Sequence, residues 1–143
     1  MQDGHQIRLE IPSTAEYVGI VRQAVEGIAK RMLFDPVEIG DLKLAVGEAC
    51  NNAVKHGCPS SNDPFITVIC KVTQSGLEIE IANTVAGGQA CPTVVGKLDN
   101  GQEGGMGLYI MHRVMDEVQI IWSDHTARIR MVKRLKQAAG SIE

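Results

Sequence analysis

The residues best suited to chemistry lie on one predicted helix, in the stretch Asp41–Gly57. Glu48 and Asn52 are four residues apart, so they project from one side of a helix, one turn from each other. Asn51 and Lys55 lie beside them. A carboxylate, a carboxamide and an ammonium group together could handle a proton, a metal ion and a phosphate. The alternative for this helix taken alone is a solvated polar face without a chemical task.

A second candidate element is the glycine-rich turn that contains Gly104, Gly105 and Gly107. With Met106 and Leu108 it opens a predicted helix, where unpaired N–H groups favour phosphate and glycine lets the backbone approach a ligand. Alone, the turn is equally consistent with a tight loop that enters a helix. Together with the polar helix and the long segment before it, the turn indicates a nucleotide site, because such a site needs all three parts.

Composition sets the class of protein. The 143 residues fit one domain over 1–143, in which the tail from about residue 134 is expected to fray. Aromatic residues make up only 3 %, so the core must be aliphatic, and a net charge of −3 argues against nucleic-acid binding through phosphates. No run of eighteen apolar residues and no signal peptide occurs, so we expect no membrane contact and a cytoplasmic location.

Four cysteines show no spacing typical of a zinc site or a redox pair. Cys50 falls within the polar helix and Cys70 within a strand pattern, while Cys58 and Cys91 lie in loop-like segments. We interpret them as buried or incidental thiols in a reducing compartment.

Hydrophobic periodicity predicts five strands and three helices in an α+β arrangement. The predicted elements are, in order, a strand over Ile7–Ile11, a helix capped by Ser13 or Thr14, a helix from about Val37 to His56, strands over Phe65–Val72 and Leu77–Ile81, a helix over Met106–Met115, and strands over Val118–Trp122 and Ala127–Lys133. Because consecutive strands form hairpins, the sheet should be mostly antiparallel with the helices on one face, a two-layer α/β sandwich. The aperiodic segment from Asn83 to Gly105 is typical of a lid or binding loop.

These motifs resemble those of a known superfamily. Glu48-Ala-Cys-Asn-Asn52-Ala-Val-Lys-His56-Gly57 is similar to the N box of the GHKL ATPases, and Gly105-Met-Gly107-Leu-Tyr-Ile-Met111 is similar to their second glycine box. Glu-Ala at the head of the N box and Met115-Asp-Glu-Val118 resemble one branch, the bacterial anti-sigma factor/serine-protein kinases. The resemblance extends from about Ile7 to Lys133 and implies a Bergerat-type ATPase fold.

The resemblance assigns roles on the polar helix. It implies that Glu48 is the catalytic carboxylate, which accepts the proton of an attacking serine hydroxyl. Asn52 matches the residue that binds a Mg²⁺ ion bridging the nucleotide phosphates, for which a carboxamide oxygen is a suitable hard ligand. Lys55 matches a position that reaches the phosphates, and His56 borders the same pocket.

The resemblance also assigns the remaining ATP contacts. Gly104, Gly105 and Gly107, with the amides around Met106 and Leu108, would cradle the triphosphate.

Asn83 stands where the family carries an aspartate that accepts a hydrogen bond from the adenine amino group. Its side-chain oxygen can still accept, although the charge is lost and Val85 replaces the glycine that follows in the family. The alternative is that Asn83 is an ordinary turn residue at a strand end.

Two cations have two interpretations each. Lys97 is the only basic residue of the aperiodic segment and is either solvated or a screen for the γ-phosphate charge. Arg22 lies on the first helix, at a place where this family can engage its sigma partner, and is otherwise a solvated arginine.

The resemblance implies an anti-sigma regulatory factor with ATP-dependent protein-serine kinase activity. It would bind ATP and Mg²⁺, sequester an alternative sigma factor, and phosphorylate a serine of an anti-anti-sigma antagonist; a homodimer is expected. One alternative is a partner-switching binding module with weak or no ATP binding, suggested by Asn83. Another is a detached histidine-kinase-type ATPase domain. Glu48 argues against this alternative, because those domains generally carry Asn at this position.

Overall fold

The computed structural model describes residues 4–55, 64–84, 105–123 and 126–136. Its strands and helices are β1 (Gln6–Pro12), α1 (Val18–Arg31), α2 (Pro36–Lys55), β2 (Phe65–Val72), β3 (Gly76–Thr84), α3 (Gly105–Val114), β4 (Glu117–Ser123) and β5 (Thr126–Arg134). Their order is the predicted one, and no helix of the described residues is both long and apolar enough to cross a membrane. The α+β class is confirmed.

The strands form one sheet in the order β1-β2-β3-β5-β4, and each neighbouring pair is antiparallel. Alternate residues point to the helical layer, because successive side chains of a strand lie on opposite faces. The fully buried strand residues of this layer include Ile66, Val68, Cys70, Leu77, Ile79 and Met131. The core is therefore aliphatic, as the composition predicts.

Hydrophobic periodicity predicts a buried apolar stripe on each of the first two helices, with residues three or four apart, and burial confirms both stripes. The five stripe positions of α1 and the five of α2 are all buried: Val18, Val21, Val25, Ile28, Met32, Leu42, Ala45, Val46, Ala49 and Ala53. Helix α2 begins with a reciprocal capping box, in which Glu38 N donates to Asp35 Oδ1 at 2.8 Å and Asp35 N donates to Glu38 Oε1 at 3.0 Å. The box fixes where the helix with the polar residues begins.

The two ends of α1 differ from each other in how they are capped. The predicted side-chain cap at its start is wrong, since a 3-10 turn over Ala15–Tyr17 precedes α1 and Thr14 forms no side-chain cap bond. At its end Leu33 adopts a φ of 67°, and Phe34 N donates to Ala29 O at 3.2 Å. Leu33 N donates to Lys30 O, which completes a Schellman motif with leucine where glycine is usual.

The sheet face opposite the helices carries a charge network across four strands, β2 to β5. Arg130 of β5 donates to Glu78 of β3 at 3.1 Å and to Glu117 of β4 at 3.2 Å. Lys71 Nζ lies 3.6 Å from the Glu78 carboxylate. Burial by itself would raise the pKa of Glu78, but the hydrogen bond and charge of Arg130, followed by Lys71, outweigh it and lower that pKa below 4.5.

The interpretation of two cysteines as buried thiols is confirmed. Cys50 and Cys70 are free and fully buried, and desolvation raises the pKa of each to about 12. Because the thiolate is the reactive form, both thiols are inert at neutral pH. Cys58 and Cys91 lie outside the described residues.

The predicted tail begins at the last residue of β5. Arg134 N still donates to Asp116 Oδ2 at 2.7 Å, and Leu135 N donates to Ser75 O at 2.8 Å. Residues 137–143 lie outside the described part of the chain.

Candidate functional site

The site is built on helices α2 and α3, which pack side by side in opposite directions. At one end, the backbone of Gly107 lies against Glu48 and Asn52. At the other end, Lys133 Nζ of β5 donates to Asp41 Oδ2 at 3.2 Å and to Val114 O at 2.6 Å, and so joins both helices. Seven residues separate the two ends on each helix, about 10 Å of helix axis in both cases.

Lys133 is a positioning residue that the sequence pattern does not reveal. It belongs to an inward-facing row of β5, and its side chain is only 12 % exposed. It supplies a positive charge to the last turn of α3, where free carbonyl groups favour a cation. The lysine therefore holds the α3 end that is remote from Glu48 and sets how the glycine end meets α2.

The close approach of Gly107 to Glu48 depends on the absence of a side chain. A methyl group placed on the Cα of Gly107 would lie 2.9 Å from Glu48 Oε1 and 3.3 Å from Asn52 Nδ2. Contacts of 2.9 Å are essentially never made by a real Cβ atom. The first four amides of a helix have no partner inside the helix, so the start of α3 brings free N–H groups beside a carboxylate and a carboxamide.

Asn52 is buried, with 8 % of its surface exposed, and its Nδ2 has no hydrogen-bond partner among the residues that the structure describes. An unpaired buried amide is costly, so such a group fits a site that a ligand completes. The two atoms of a carboxamide exchange when the side chain flips, so the end of Asn52 that faces a ligand can be donor or acceptor. With the oxygen turned inward, Asn52 has the donor atom that a phosphate-bound Mg²⁺ ion requires.

Asn83 is also buried, with 4 % exposed surface, and within the described part of the chain its Oδ1 has no hydrogen-bond partner. It is part of strand β3, paired with Ile66, so its interpretation as a turn residue after the strand is wrong. The pairing with β2 continues to Thr84, beyond the predicted end at Ile81, because the β2 residues opposite supply the ladder hydrogen bonds. Asn83 shares the helix-facing side of β3 with Ile79 and Ile81.

Asn83 and Asn52 lie at the same end of the domain. Lys133 pairs with Leu77 near the start of β3 and bonds Asp41 of α2, so it marks a common level for both elements. From that level, six residues of strand advance about 20 Å to Asn83, and eleven residues of helix advance about 16 Å to Asn52. The two unpaired amides therefore border the same end of the helix–sheet layer as Gly107.

The other predicted residues divide into two groups. Gly105 and Met106 form the first turn of α3, Leu108 packs half-buried against the core, and Lys55 is the exposed last residue of α2. His56, Gly104 and Lys97 lie outside the described residues, and their predicted roles stay predictions.

Arg22 is exposed, and its side chain lies against Gly47 of α2. Its Cδ and Nη1 atoms would lie 3.3 Å from a methyl group on Gly47, the neighbour of the predicted catalytic carboxylate.

The residues of the site can be compared with what a bound nucleotide and a metal ion require. The backbone of Gly107, the Glu48 carboxylate and the Asn52 carboxamide meet at one end of the helix pair, and buried Asn83 faces the helical layer from β3, which suits a phosphate chain and a base. In the described residues, no group of three or more His, Cys, Asp and Glu side chains could hold a metal ion. Asn52 would therefore bind Mg²⁺ together with phosphate oxygens, which is usual for this ion.

Comparison with known proteins agrees with this geometry. The family model described as "Histidine kinase-like ATPase domain" matches residues 11–133. A serine-protein kinase RsbW of Bacillus velezensis is 37 % identical over 139 residues, which cover 90 % of this chain and 85 % of that protein. The protein of the same name from Bacillus pumilus is 39 % identical over 126 residues, covering 80 % and 76 %.

The fold also has a solved counterpart. The histidine kinase domain of the blue-light activated histidine kinase from Erythrobacter litoralis EL346 superposes with a TM-score of 0.55 at 18 % identity. The match covers 96 % of this chain and 66 % of that structure, and at this identity it bears on the fold alone.

Proposed function

The chain belongs to the histidine kinase-like ATPase domain family and to its RsbW-like branch, and from this premise we propose that it is an ATP-dependent protein-serine kinase. The approach of Gly107 to Glu48 and Asn52 carries the proposal, because it sets a helix N-terminus beside a carboxylate. A phosphate chain held by α3 amides would then face both side chains. The names of the relatives cited above support the same activity.

The chemistry follows from the positions of the residues. Glu48 is half-buried and would accept the proton of a serine hydroxyl as that oxygen attacks the γ-phosphorus. The bond between the γ-phosphorus and the β–γ bridging oxygen would break, and ADP would leave. Asn52 would hold Mg²⁺, which when bound neutralises charge on the phosphates. The amides of Gly105, Met106 and Gly107 would orient the transferred phosphoryl group.

The regulatory role belongs to the same proposal. The protein would sequester an alternative sigma factor in the cytoplasm and phosphorylate an anti-anti-sigma antagonist, which is then released. Partner choice would follow the state of the nucleotide. We also expect a homodimer, which sedimentation equilibrium would detect as a doubled mass.

The experiment is transfer of labelled phosphate from ATP to a candidate antagonist, with Mg²⁺ and the full-length chain. Wild type should label a serine, and Glu48→Gln should lower the rate at least about 100-fold, while ATP affinity changes less than about threefold. Glu16→Gln, on the exposed 3-10 turn before α1, is the matched control and should retain the rate.

Two outcomes would contradict the proposed kinase activity. Absence of transfer to any candidate antagonist, together with weak or no ATP binding, favours the partner-switching module, which the replacement of an expected aspartate by Asn83 motivates. Acid-labile label on a histidine would instead identify a detached histidine-kinase domain.

A further inference from the structure

Asn83 places a neutral carboxamide where the family carries an aspartate, and no described residue forms a hydrogen bond with its Oδ1. Its Oδ1 is buried without a partner, and within the residues that the structure describes the carboxamide forms no hydrogen bond. Asn83 faces the helical layer at the end of the domain where Asn52 and Gly107 lie. A buried carboxamide oxygen without a partner among the described residues is unusual, and it fits a site in which a ligand supplies the partner.

Carboxylate and carboxamide differ in what they can recognise. An ionised aspartate only accepts hydrogen bonds, so it selects a purine with an amino group at position 6 and leaves a 6-oxo group unpaired. A carboxamide accepts at Oδ1 and donates at Nδ2, and a rotation of the side chain exchanges the two ends. No described hydrogen bond holds Asn83 in one orientation.

We propose that Asn83 allows this protein to bind both 6-amino and 6-oxo purine nucleotides, an inference that rests on the proposed nucleotide site. With Oδ1 turned to the base, Asn83 accepts from the amino group of adenine. With Nδ2 turned to the base, it donates to the oxygen of hypoxanthine or guanine. The base specificity of the site is therefore set by a single side chain on β3.

A structural role for Asn83 is the competing explanation. Its neighbour Thr84 has such a role, since its hydroxyl lies 3.2 Å from Thr67 Oγ1 and 3.3 Å from Phe65 O on the opposite face of the sheet. Asn83 joins no comparable network within the described residues. An amide retained only for packing would leave Oδ1 unpaired at a cost in stability without any return.

The test is a comparison of two nucleotides that differ mainly at position 6 of the base. Isothermal titration with ATP and with ITP, each with Mg²⁺, gives two dissociation constants for the full-length chain. Wild type should bind both within about threefold of each other. Asn83→Asp should keep ATP and weaken ITP at least tenfold, because a buried acceptor then faces an oxygen.

Two further variants complete the experiment. Gln6→Glu makes the same amide-to-carboxylate change on the exposed edge strand β1 and should leave both affinities unaltered. Asn83→Leu removes both polar ends and should weaken ATP and ITP equally. It also serves if Asn83→Asp does not fold, which circular dichroism would reveal.

The outcomes separate this inference from the proposed function. A wild-type preference of tenfold or more for ATP overturns the inference and leaves the kinase intact. An ITP-to-ATP ratio that Asn83→Asp leaves unaltered does the same, and so does an Asn83→Leu variant that binds both nucleotides as tightly as wild type. If neither nucleotide binds, the proposed nucleotide site itself is wrong and the inference falls with it.

Discussion

Gly107 of α3 comes so close to Glu48 of α2 that any side chain at position 107 would collide with the carboxylate. A methyl group there would stand 2.9 Å from Oε1 and 3.3 Å from Asn52 Nδ2. A side chain at position 107 would therefore displace the ends of the Glu48 and Asn52 side chains, and this displacement has measurable consequences.

Gly107→Ala should weaken ATP binding at least tenfold, because Glu48 or Asn52 must move by several tenths of an ångström. Its stability should change little, since the helix propensity of alanine offsets part of the clash. Gly40→Ala on the exposed face of α2 meets nothing within 4 Å, and it should raise the free energy of unfolding by about 0.5–1 kcal/mol and spare binding. Titration calorimetry and urea denaturation measure both effects. Equal ATP affinity in both variants would contradict the proposed role of Gly107.

Lys133→Met should lower the free energy of unfolding by about 1–3 kcal/mol, because Asp41 and the Val114 carbonyl both lose a charged partner. Amide hydrogens at the end of α3 should exchange faster in the variant. Lys136→Met is the control, since that lysine is 75 % exposed and its ion pairs are 3.8–3.9 Å long. It should change stability by less than about 0.5 kcal/mol. Unaltered exchange in α3 would show that Lys133 does not hold the helix.

Glu78→Gln should destabilise the protein at pH 7 by about 1–2 kcal/mol, and the difference from wild type should vanish in acid. The pKa of Glu78 is lowered in the folded state, so its contribution is present above the unfolded value of about 4.5 and is lost as the pH falls below it. Denaturation at a series of pH values between 7 and 3 measures the difference. Glu10→Gln, whose pair with Arg8 is about half exposed, should show almost none of this dependence. A constant difference across the range would exclude the ion-pair explanation.

Leu33→Gly should stabilise the protein by about 0.5 kcal/mol, although the change removes a large side chain. Leu33 is 86 % exposed and has a φ of 67°, so it contributes little packing and carries the strain of a left-handed conformation. The greater freedom of glycine in the unfolded chain cancels part of the gain. Thermal denaturation should show a small upward shift of Tm. A fall of Tm would mean that the leucine contacts something at this corner.

Local sequence patterns were sufficient to predict the type and order of the helices and strands. The stripes of α1 and α2, the limits of β2 and the hairpin order all follow from periodicity and turn residues, because each depends on neighbours within one or two turns. The sequence also placed Glu48 and Asn52 on one helix side, since a spacing of four residues leaves no other choice.

The tertiary structure decided which distant residues meet. Asn83 became a strand residue because β2 supplies partners as far as Phe65, opposite Thr84, a pairing between segments that no local signal fixes. Lys133 became the link between α2 and α3 only through the register of β5 with β3.

The same division holds for the site. The residue types of Glu48, Asn52 and Gly107 were determined by the sequence alone. Their approach to within contact distance required two helices to pack in opposite directions, because contacts between residues more than fifty positions apart depend on packing of the whole core.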